Sequence, residues 1–177
     1  CGMMGSGKST VGRKVAEELN VPFQDLDEMI VEKAGMSIPD IFKDQGEAGV
    51  RQLERKILVR ESQYFKGVMA LGGGSLQNQH IIDHLKIYGW LVFLDVPQSV
   101  IWKRISGDSN RPMLASDSRS DKPDTAEEST KLQRLLDERL PFYRQAEITI
   151  PAGERTPEVI AHELIKKLTL YDGFNRR

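Results

Sequence analysis

The sequence predicts an α/β fold in which a parallel sheet is flanked by helices on both faces. Two observations lead to this prediction: short apolar segments run into carboxylates or glycines, and longer segments with helical periodicity alternate with them. Such alternation is typical of parallel strands joined by crossover helices. With 177 residues, the chain has the length of a single domain, which we expect to span residues 1–177.

The apolar segments are short, as strands are, and each ends in residues suited to a ligand. Residues 21–27 end in two carboxylates, 68–71 run into three glycines, 90–94 run into Asp95, and 148–150 run into Pro-Ala-Gly. In parallel sheets ligands bind at the carboxyl ends of the strands, so we expect the site there.

A further strand is expected before the glycine-rich segment at residues 2–9, because such a segment normally follows a buried strand. Only Cys1 precedes it, so we expect that almost all of this first strand lies outside the sequence. Helical periodicity is found at residues 8–19, 38–45, 47–64, 80–86, 99–105, 130–143 and 158–168. Residues 115–129 are polar and aperiodic, which predicts a mobile lid.

Composition excludes several classes of partner. Hydrophobic residues make up 39% of the chain and charged residues 29%, and no apolar run approaches the roughly 20 residues of a membrane span. A formal net charge of −1 provides no basic field for nucleic acid. The single cysteine fits a reducing compartment. We therefore expect a cytoplasmic monomer with a small-molecule substrate, although an organelle-targeting segment upstream of Cys1 stays open.

The firmest motif is Gly2-Met3-Met4-Gly5-Ser6-Gly7-Lys8-Ser9, which fits the pattern G-x-x-x-x-G-K-S/T. Its glycines turn backbone N–H groups around phosphate oxygens, Lys8 supplies charge to the β and γ phosphates, and the Ser9 hydroxyl can bind Mg²⁺. A chance match in a glycine-rich turn is disfavoured because a helix follows at once. The predicted nucleotide-binding residues here are Gly5, Ser6, Gly7, Lys8, Ser9 and Thr10.

Asp25 and Asp27 flank Leu26 at the end of a predicted strand, where period-two geometry points both carboxylates to one face. Asp25 could hold Mg²⁺ directly or through water. Asp27 could orient or deprotonate a substrate hydroxyl. A helix N-cap role for Asp27 is the alternative, and the two roles are compatible.

Three arginines are candidates for anion binding. Arg51 lies three residues before Glu54, so that the pair could present a fork to a substrate carboxylate or form a solvated surface ion pair. Arg139 is a second candidate clamp, and Arg111 at the start of the lid is a candidate for stabilising a transferring phosphoryl group. For both of these, an ordinary exposed charge is the alternative.

The triplet Gly72-Gly73-Gly74 follows a predicted strand. Without Cβ atoms it lets a ligand approach the backbone, and its N–H groups can donate to hydroxyls or oxyanions. A simple turn is the alternative.

Taken in order, the motifs G-M-M-G-S-G-K-S-T, D-L-D, R-Q-L-E, G-G-G, R-P-M-L and R-L-P-F-Y resemble shikimate kinases over nearly the whole chain. The resemblance implies a three-layer P-loop kinase fold with a five-stranded parallel sheet, a substrate-binding region at about 27–64 and a mobile lid at about 111–129. It also implies ATP and Mg²⁺ as cofactors, and phosphorylation of the 3-hydroxyl of shikimate.

The resemblance also implies residue roles. Ser9 and Asp25 would serve Mg²⁺, while Lys8 and Arg111 would stabilise the transferring phosphoryl group. Shikimate would be bound by Asp27, Arg51, Gly73 and Arg139. The adenine would meet Arg104, with Arg155 in the adjoining loop. The chain departs from the pattern in having Val50 where Phe is usual, Met113 where Leu is common, and a longer lid.

Two other functions would share part of this pattern. A gluconate-type or nucleotide-type kinase would share Lys8 and Ser9 but need other acceptor contacts, whereas two arginines and a glycine triplet favour a small hydroxy acid. A kinase-like binding module that has lost its chemistry should lack Lys8, Asp27 or the arginines first, and all of them are present.

Overall fold

The computed structural model describes residues 1–106 and 125–170, and it confirms the alternation of strands and helices. The strands are β1 (Phe23–Asp25), β2 (Val68–Ala70), β3 (Val92–Asp95) and β4 (Ile148–Pro151). The helices are α1 (Lys8–Leu19), α2 (Leu26–Ala34), α3 (Ile38–Tyr64), α4 (Gln79–Tyr88), α5 (Gln98–Ile105), α6 (Thr125–Tyr143) and α7 (Pro157–Leu170).

The described strands form two parallel pairs and not one five-stranded sheet. β1 pairs with β2, and β3 pairs with β4. Cys1 lies beside β3, where its nitrogen donates to the Val92 carbonyl and its carbonyl accepts from the Leu94 N–H. In a parallel strand the N–H and C=O of one residue point to the same neighbour. Both backbone groups of Cys1 therefore bond to β3, which leaves none of them for β2. An apolar cavity of about 420 Å³ lies between the two sheets.

Two helix boundaries test the sequence prediction in opposite ways. The break expected between residues 45 and 47 is confirmed, since Gly46 has φ 67° and divides α3 at a kink. Helix α6 begins earlier than expected, at Thr125, because Ala and Glu at 126–128 favour helix. The last residues of the expected lid, 125–129, are therefore helical, and residues 107–124 lie outside the described part.

One apolar cluster joins both sheets to the helices around them. Leu26 and Ile30 of α2, Ile82 of α4, Ile101 of α5 and Ile150 of β4 are all at most 1% exposed and belong to it. Helix α1 packs on α7, α3 packs on both α2 and α4, and α5 packs on α6. Within residues 1–106 and 125–170, no helix combines the length and apolar character that crossing a membrane requires. The packing leaves the carboxyl ends of β1, β2 and β3 close to the glycine-rich loop at residues 2–7.

Gly67 is the position at which the backbone of the β1–β2 pair leaves least room. A Cβ there would lie 2.2 Å from the Pro22 carbonyl oxygen, which accepts the Val68 N–H at 2.9 Å. We expect Gly67→Ala to lower the free energy of unfolding by about 1–3 kcal/mol in urea denaturation. The matched control is Gly89→Ala, whose new Cβ meets nothing within 4 Å. Equal losses in the two variants would contradict this explanation.

Candidate active site

The glycine-rich loop at residues 2–7 adopts a backbone that requires glycine. Gly2, Gly5 and Gly7 have φ of 144°, 73° and 88°, in the region that L residues seldom adopt. A Cβ on Gly5 would also lie 2.6 Å from the Ile105 side chain. The loop ends at the N-terminus of α1, where the backbone N–H groups and the positive dipole end favour an anion. The local geometry of a phosphate site is therefore present.

Lys8 folds back across this loop, where its ammonium donates to the Met3 carbonyl at 3.0 Å. Its charge also acts on the Asp27 carboxylate, where it opposes a rise in pKa that is caused by desolvation and by the Asp25 charge. Lys8 thus joins the loop to the carboxylates at the end of β1.

Asp25 is held between two neighbours. The Ser9 hydroxyl donates to one carboxylate oxygen at 2.5 Å, and the Asp27 N–H donates to the other at 3.0 Å. Asp25 is therefore the N-cap of α2, and the alternative that Asp27 is the cap is wrong. The period-two argument also fails, because the strand ends at Asp25 and the helix begins at Leu26. The cap bond, and not strand geometry, brings the two aspartates together.

The Ser9 hydroxyl and the Asp25 carboxylate are hard oxygen ligands, which fit Mg²⁺. Among residues 1–106 and 125–170, no group of three or more His, Cys, Asp or Glu side chains could hold a metal. Mg²⁺ is usually held by one or two protein oxygens together with waters and substrate phosphates.

Asp27 lies in the first turn of α2, where it is exposed as a residue although protein atoms displace much of the water around its carboxylate. This desolvation raises the pKa of Asp27, and the charges of Asp25 and Glu54 raise it further. Lys8 and Arg51 oppose the rise. Asp27 is therefore a better proton acceptor than an ordinary aspartate, and it faces charges from α1, α3 and the end of β1.

Arg51 is fixed by two glutamates of its own helix. Its guanidinium donates to Glu54 at 2.5 Å and to Glu47 at 3.1 and 3.3 Å. Glu54 is only 4% exposed, so the alternative of a solvated surface pair is wrong. Burial lowers the pKa of Arg51, but Glu54 and Glu47 outweigh it and raise that pKa overall. Arg51 is a permanent cation that is held in one orientation.

The glycine triplet follows β2, and its three residues have no positive φ. Space, not backbone conformation, explains two of the glycines. A Cβ on Gly72 would lie 2.6 Å from a Glu54 oxygen and 3.0 Å from an Asp27 oxygen. A Cβ on Gly74 would lie 2.3 Å from an Arg51 nitrogen. The simple-turn alternative is therefore insufficient, because side chains of α2 and α3 occupy the space that a Cβ would need.

Helix α6 closes the other side of the triplet. Arg139 is only 1% exposed, so the alternative of an exposed charge is wrong. One nitrogen of its guanidinium lies 3.4 Å from where a Cβ of Gly73 would be. One helical turn later, the Tyr143 hydroxyl donates to the Gly73 carbonyl. The ring of Tyr143 stacks on Phe93 with centroids 5.3 Å apart.

Sequence reasoning assigned no role to Tyr143, although its spacing of four from Arg139 puts both on one face of α6. That spacing is the signal that could have identified it.

Two predicted nucleotide contacts lie at the other end of the site. Arg104 donates to the Gly5 and Gly153 carbonyls at 3.2 and 2.7 Å, and Arg155 donates to the Pro151 carbonyl at 2.8 Å. Arg104 therefore joins the glycine-rich loop to the loop after β4, whereas Arg155 bonds within its own segment and to Glu163 of α7. Arg111 lies outside the described residues.

The Tyr143 hydroxyl gives a prediction for stability. Burial raises the pKa of Tyr143 to about 12 from 10.0, against the opposing charge of Arg139, so the folded state favours the neutral hydroxyl. The stabilisation that the neutral Tyr143 hydroxyl provides is complete below pH 10, and it disappears as the hydroxyl ionises towards about pH 12. We expect Tyr143→Phe to lower the free energy of unfolding by about 1–2 kcal/mol at neutral pH. Urea denaturation at increasing pH should then show a shallower alkaline loss than in the parent, and parallel curves would contradict this.

Comparison with known proteins identifies the family. The shikimate kinase family model matches residues 4–169. The shikimate kinase of Trichormus variabilis is 38% identical over 166 residues, which are 93% of this chain and 86% of that protein. The structure of shikimate kinase from Acinetobacter baumannii in complex with shikimate is 33% identical, with a TM-score of 0.87 over 96% of this chain and 90% of that one. Shikimate kinase from Aquifex aeolicus is also 33% identical, with a TM-score of 0.81 over 97% and 95% of the two chains. The predicted P-loop kinase fold is confirmed, and the chain belongs to the shikimate kinase family.

Proposed function

We propose that this chain is a kinase that transfers the γ-phosphate of ATP to the 3-hydroxyl of shikimate, giving shikimate 3-phosphate and ADP. The observation that carries the proposal is the convergence of Asp27, Arg51 and Arg139 on the glycine triplet, beside a phosphate loop. Two guanidinium groups suit a carboxylate, and a carboxylate of raised pKa suits an acceptor hydroxyl.

ATP occupies the loop side of the site. The N–H groups of Gly5, Ser6, Gly7, Lys8, Ser9 and Thr10 surround the phosphates, and the Lys8 ammonium moves from the Met3 carbonyl to the β and γ phosphates. Ser9 and Asp25 would hold Mg²⁺, which when bound neutralises phosphate charge. Arg104 and Arg155 lie at the adenine end, where Arg104 already joins the glycine-rich loop to the loop after β4.

Shikimate occupies the triplet side. Arg51 and Arg139 bind its carboxylate, and the Gly73 backbone lies against its ring. Asp27 accepts the proton of the 3-hydroxyl as that oxygen bonds to the γ-phosphorus, and the bond from the γ-phosphorus to the β–γ bridging oxygen breaks, so that the oxygen leaves with ADP. Lys8 and Arg111 balance the charge that spreads over the transferring phosphoryl group.

We also propose that the protein works as a cytoplasmic monomer without a nucleic-acid partner. A single cysteine and a net charge of −1 support this proposal. All the residues assigned above come from one chain, so that a second copy is not needed to complete the site.

The proposed reaction is tested by an assay of ADP release with Mg²⁺ and ATP, comparing shikimate, gluconate, AMP and no acceptor. We expect turnover with shikimate alone, and Asp27→Asn should lower kcat by about 100-fold or more while ATP affinity is retained. Since the pKa of Asp27 is raised in the folded state, its ionised form disfavours folding at neutral pH. The Asn variant should therefore melt no lower than the parent, which separates lost chemistry from lost structure. Turnover with gluconate or AMP but not shikimate would refute the acceptor.

Arg51 and Arg139 form the acid clamp, and the contribution of Arg51 to it is tested through Gly74. An added methyl group there would displace the guanidinium of Arg51 and leave the backbone in place. We expect Gly74→Ala to raise the KM for shikimate by about 10-fold or more, with little change in the KM for ATP. In an Arg51→Ala background the same substitution should add nothing, because its target is already gone. Independent, additive effects would show that Gly74 does not act through Arg51.

A further inference from the structure

The carboxylate of Glu54 has a different partner on each oxygen. One oxygen accepts from the Arg51 guanidinium at 2.5 Å, and the other accepts from the Ser75 hydroxyl at 3.1 Å. Glu54 and Ser75 are 4% and 7% exposed, so that solvent cannot easily replace the serine. The sequence gives no sign of this contact, because the two residues are 21 positions apart.

The Glu54 side chain has reasons to move if the second oxygen is released. Its terminal torsion is soft, and the oxygen bound by Ser75 lies near the Asp27 carboxylate across Gly72, where the two charges repel each other. A cavity of about 410 Å³ lies against the pair, lined by Arg51, Glu54 and Ser75 among others, and gives the side chain room to turn.

Ser75 itself is held in place by the turn that contains the triplet, since its N–H donates to the Gly72 carbonyl at 3.2 Å. The hydroxyl therefore transmits the position of the triplet to Glu54, and Glu54 transmits it to Arg51. The three contacts form one chain from the backbone of the glycine triplet to the guanidinium of Arg51.

We propose that Ser75 is a positioning residue of the acid clamp, whose hydroxyl fixes the second oxygen of Glu54 so that the first oxygen holds Arg51 towards the acceptor. This inference rests on the proposed function for its kinetic consequence, but the geometry that it asserts is independent of activity. In this proposal Ser75 acts through Glu54 and Arg51 and not by contact with a substrate.

The kinetic test compares Ser75→Ala with Ser75→Thr, which keeps the hydroxyl. We expect Ser75→Ala to raise the KM for shikimate by about 10-fold without changing the KM for ATP, and Ser75→Thr to stay close to the parent. In an Arg51→Ala background, Ser75→Ala should have no further effect on that KM. The matched control is Ser62→Ala on the same helix as Glu54, where the hydroxyl donates to the Val59 carbonyl and lies outside the site.

A general loss of structure would raise both KM values together and add to the effect of Arg51→Ala, and either result would overturn the proposal. If Ser75→Ala does not fold, Ser75→Cys replaces it, because a thiol keeps the size but donates weakly. The thiol variant should then raise the KM for shikimate while the threonine variant does not.

A second measurement needs no activity. The guanidinium N–H signals of Arg51 in ¹⁵N NMR, assigned with Arg51→Lys, should be sharp in the parent and in Ser62→Ala and broadened or lost in Ser75→Ala. If the parent does not turn over shikimate, the proposed function fails, yet this comparison still decides the role of Ser75. Unchanged Arg51 signals in Ser75→Ala would overturn the inference whichever way the assay turns out.

Discussion

The constraint on which the site depends is the space left by the missing Cβ atoms of the glycine triplet. Charged side chains from α2 and α3 occupy the space beside Gly72 and Gly74, and Arg139 of α6 lies against Gly73. The consecutive helices α2 and α3 and the sequence-distant helix α6 therefore meet at one short stretch of backbone after β2. The glycines determine how closely these side chains pack, and the packing raises the pKa of Asp27, first by desolvation and then through the neighbouring charges.

Such an arrangement costs stability, and the structure offsets the cost by pairing. Glu54 and Arg139 are nearly inaccessible to solvent, where an uncompensated charge would be strongly unfavourable. Glu54 is bound on both oxygens, and the pKa of Arg51 is raised by its glutamates in spite of burial. Asp27 is the exception, since its pKa is raised and its ionised form is disfavoured. A carboxylate that is kept slightly unstable as an anion is suited to accepting a proton.

Local features could be predicted from the sequence, and features that depend on packing could not. The phosphate loop, the helix break at Gly46 and the pairing of Arg51 with Glu54 all follow from residues within a few positions of each other. The burial of Arg139 and the bond of Ser75 to Glu54 depend on contacts between distant segments, for which periodicity carries no signal. The two aspartates were placed together for the wrong reason, because a cap bond replaced the expected strand geometry.

The two halves of the site are therefore built differently. The phosphate side consists of a continuous loop and a helix end, so that its geometry is largely inherent in residues 2–10. The acceptor side depends on how several helices pack against the glycine triplet. A core substitution can therefore change the geometry of the acceptor side without affecting ATP binding. Val50 is such a position, because it precedes Arg51 on α3 and is buried at 6% exposure. A change in side-chain volume at position 50 would shift Arg51 and so alter the binding of the substrate carboxylate, while the phosphate loop stays unchanged.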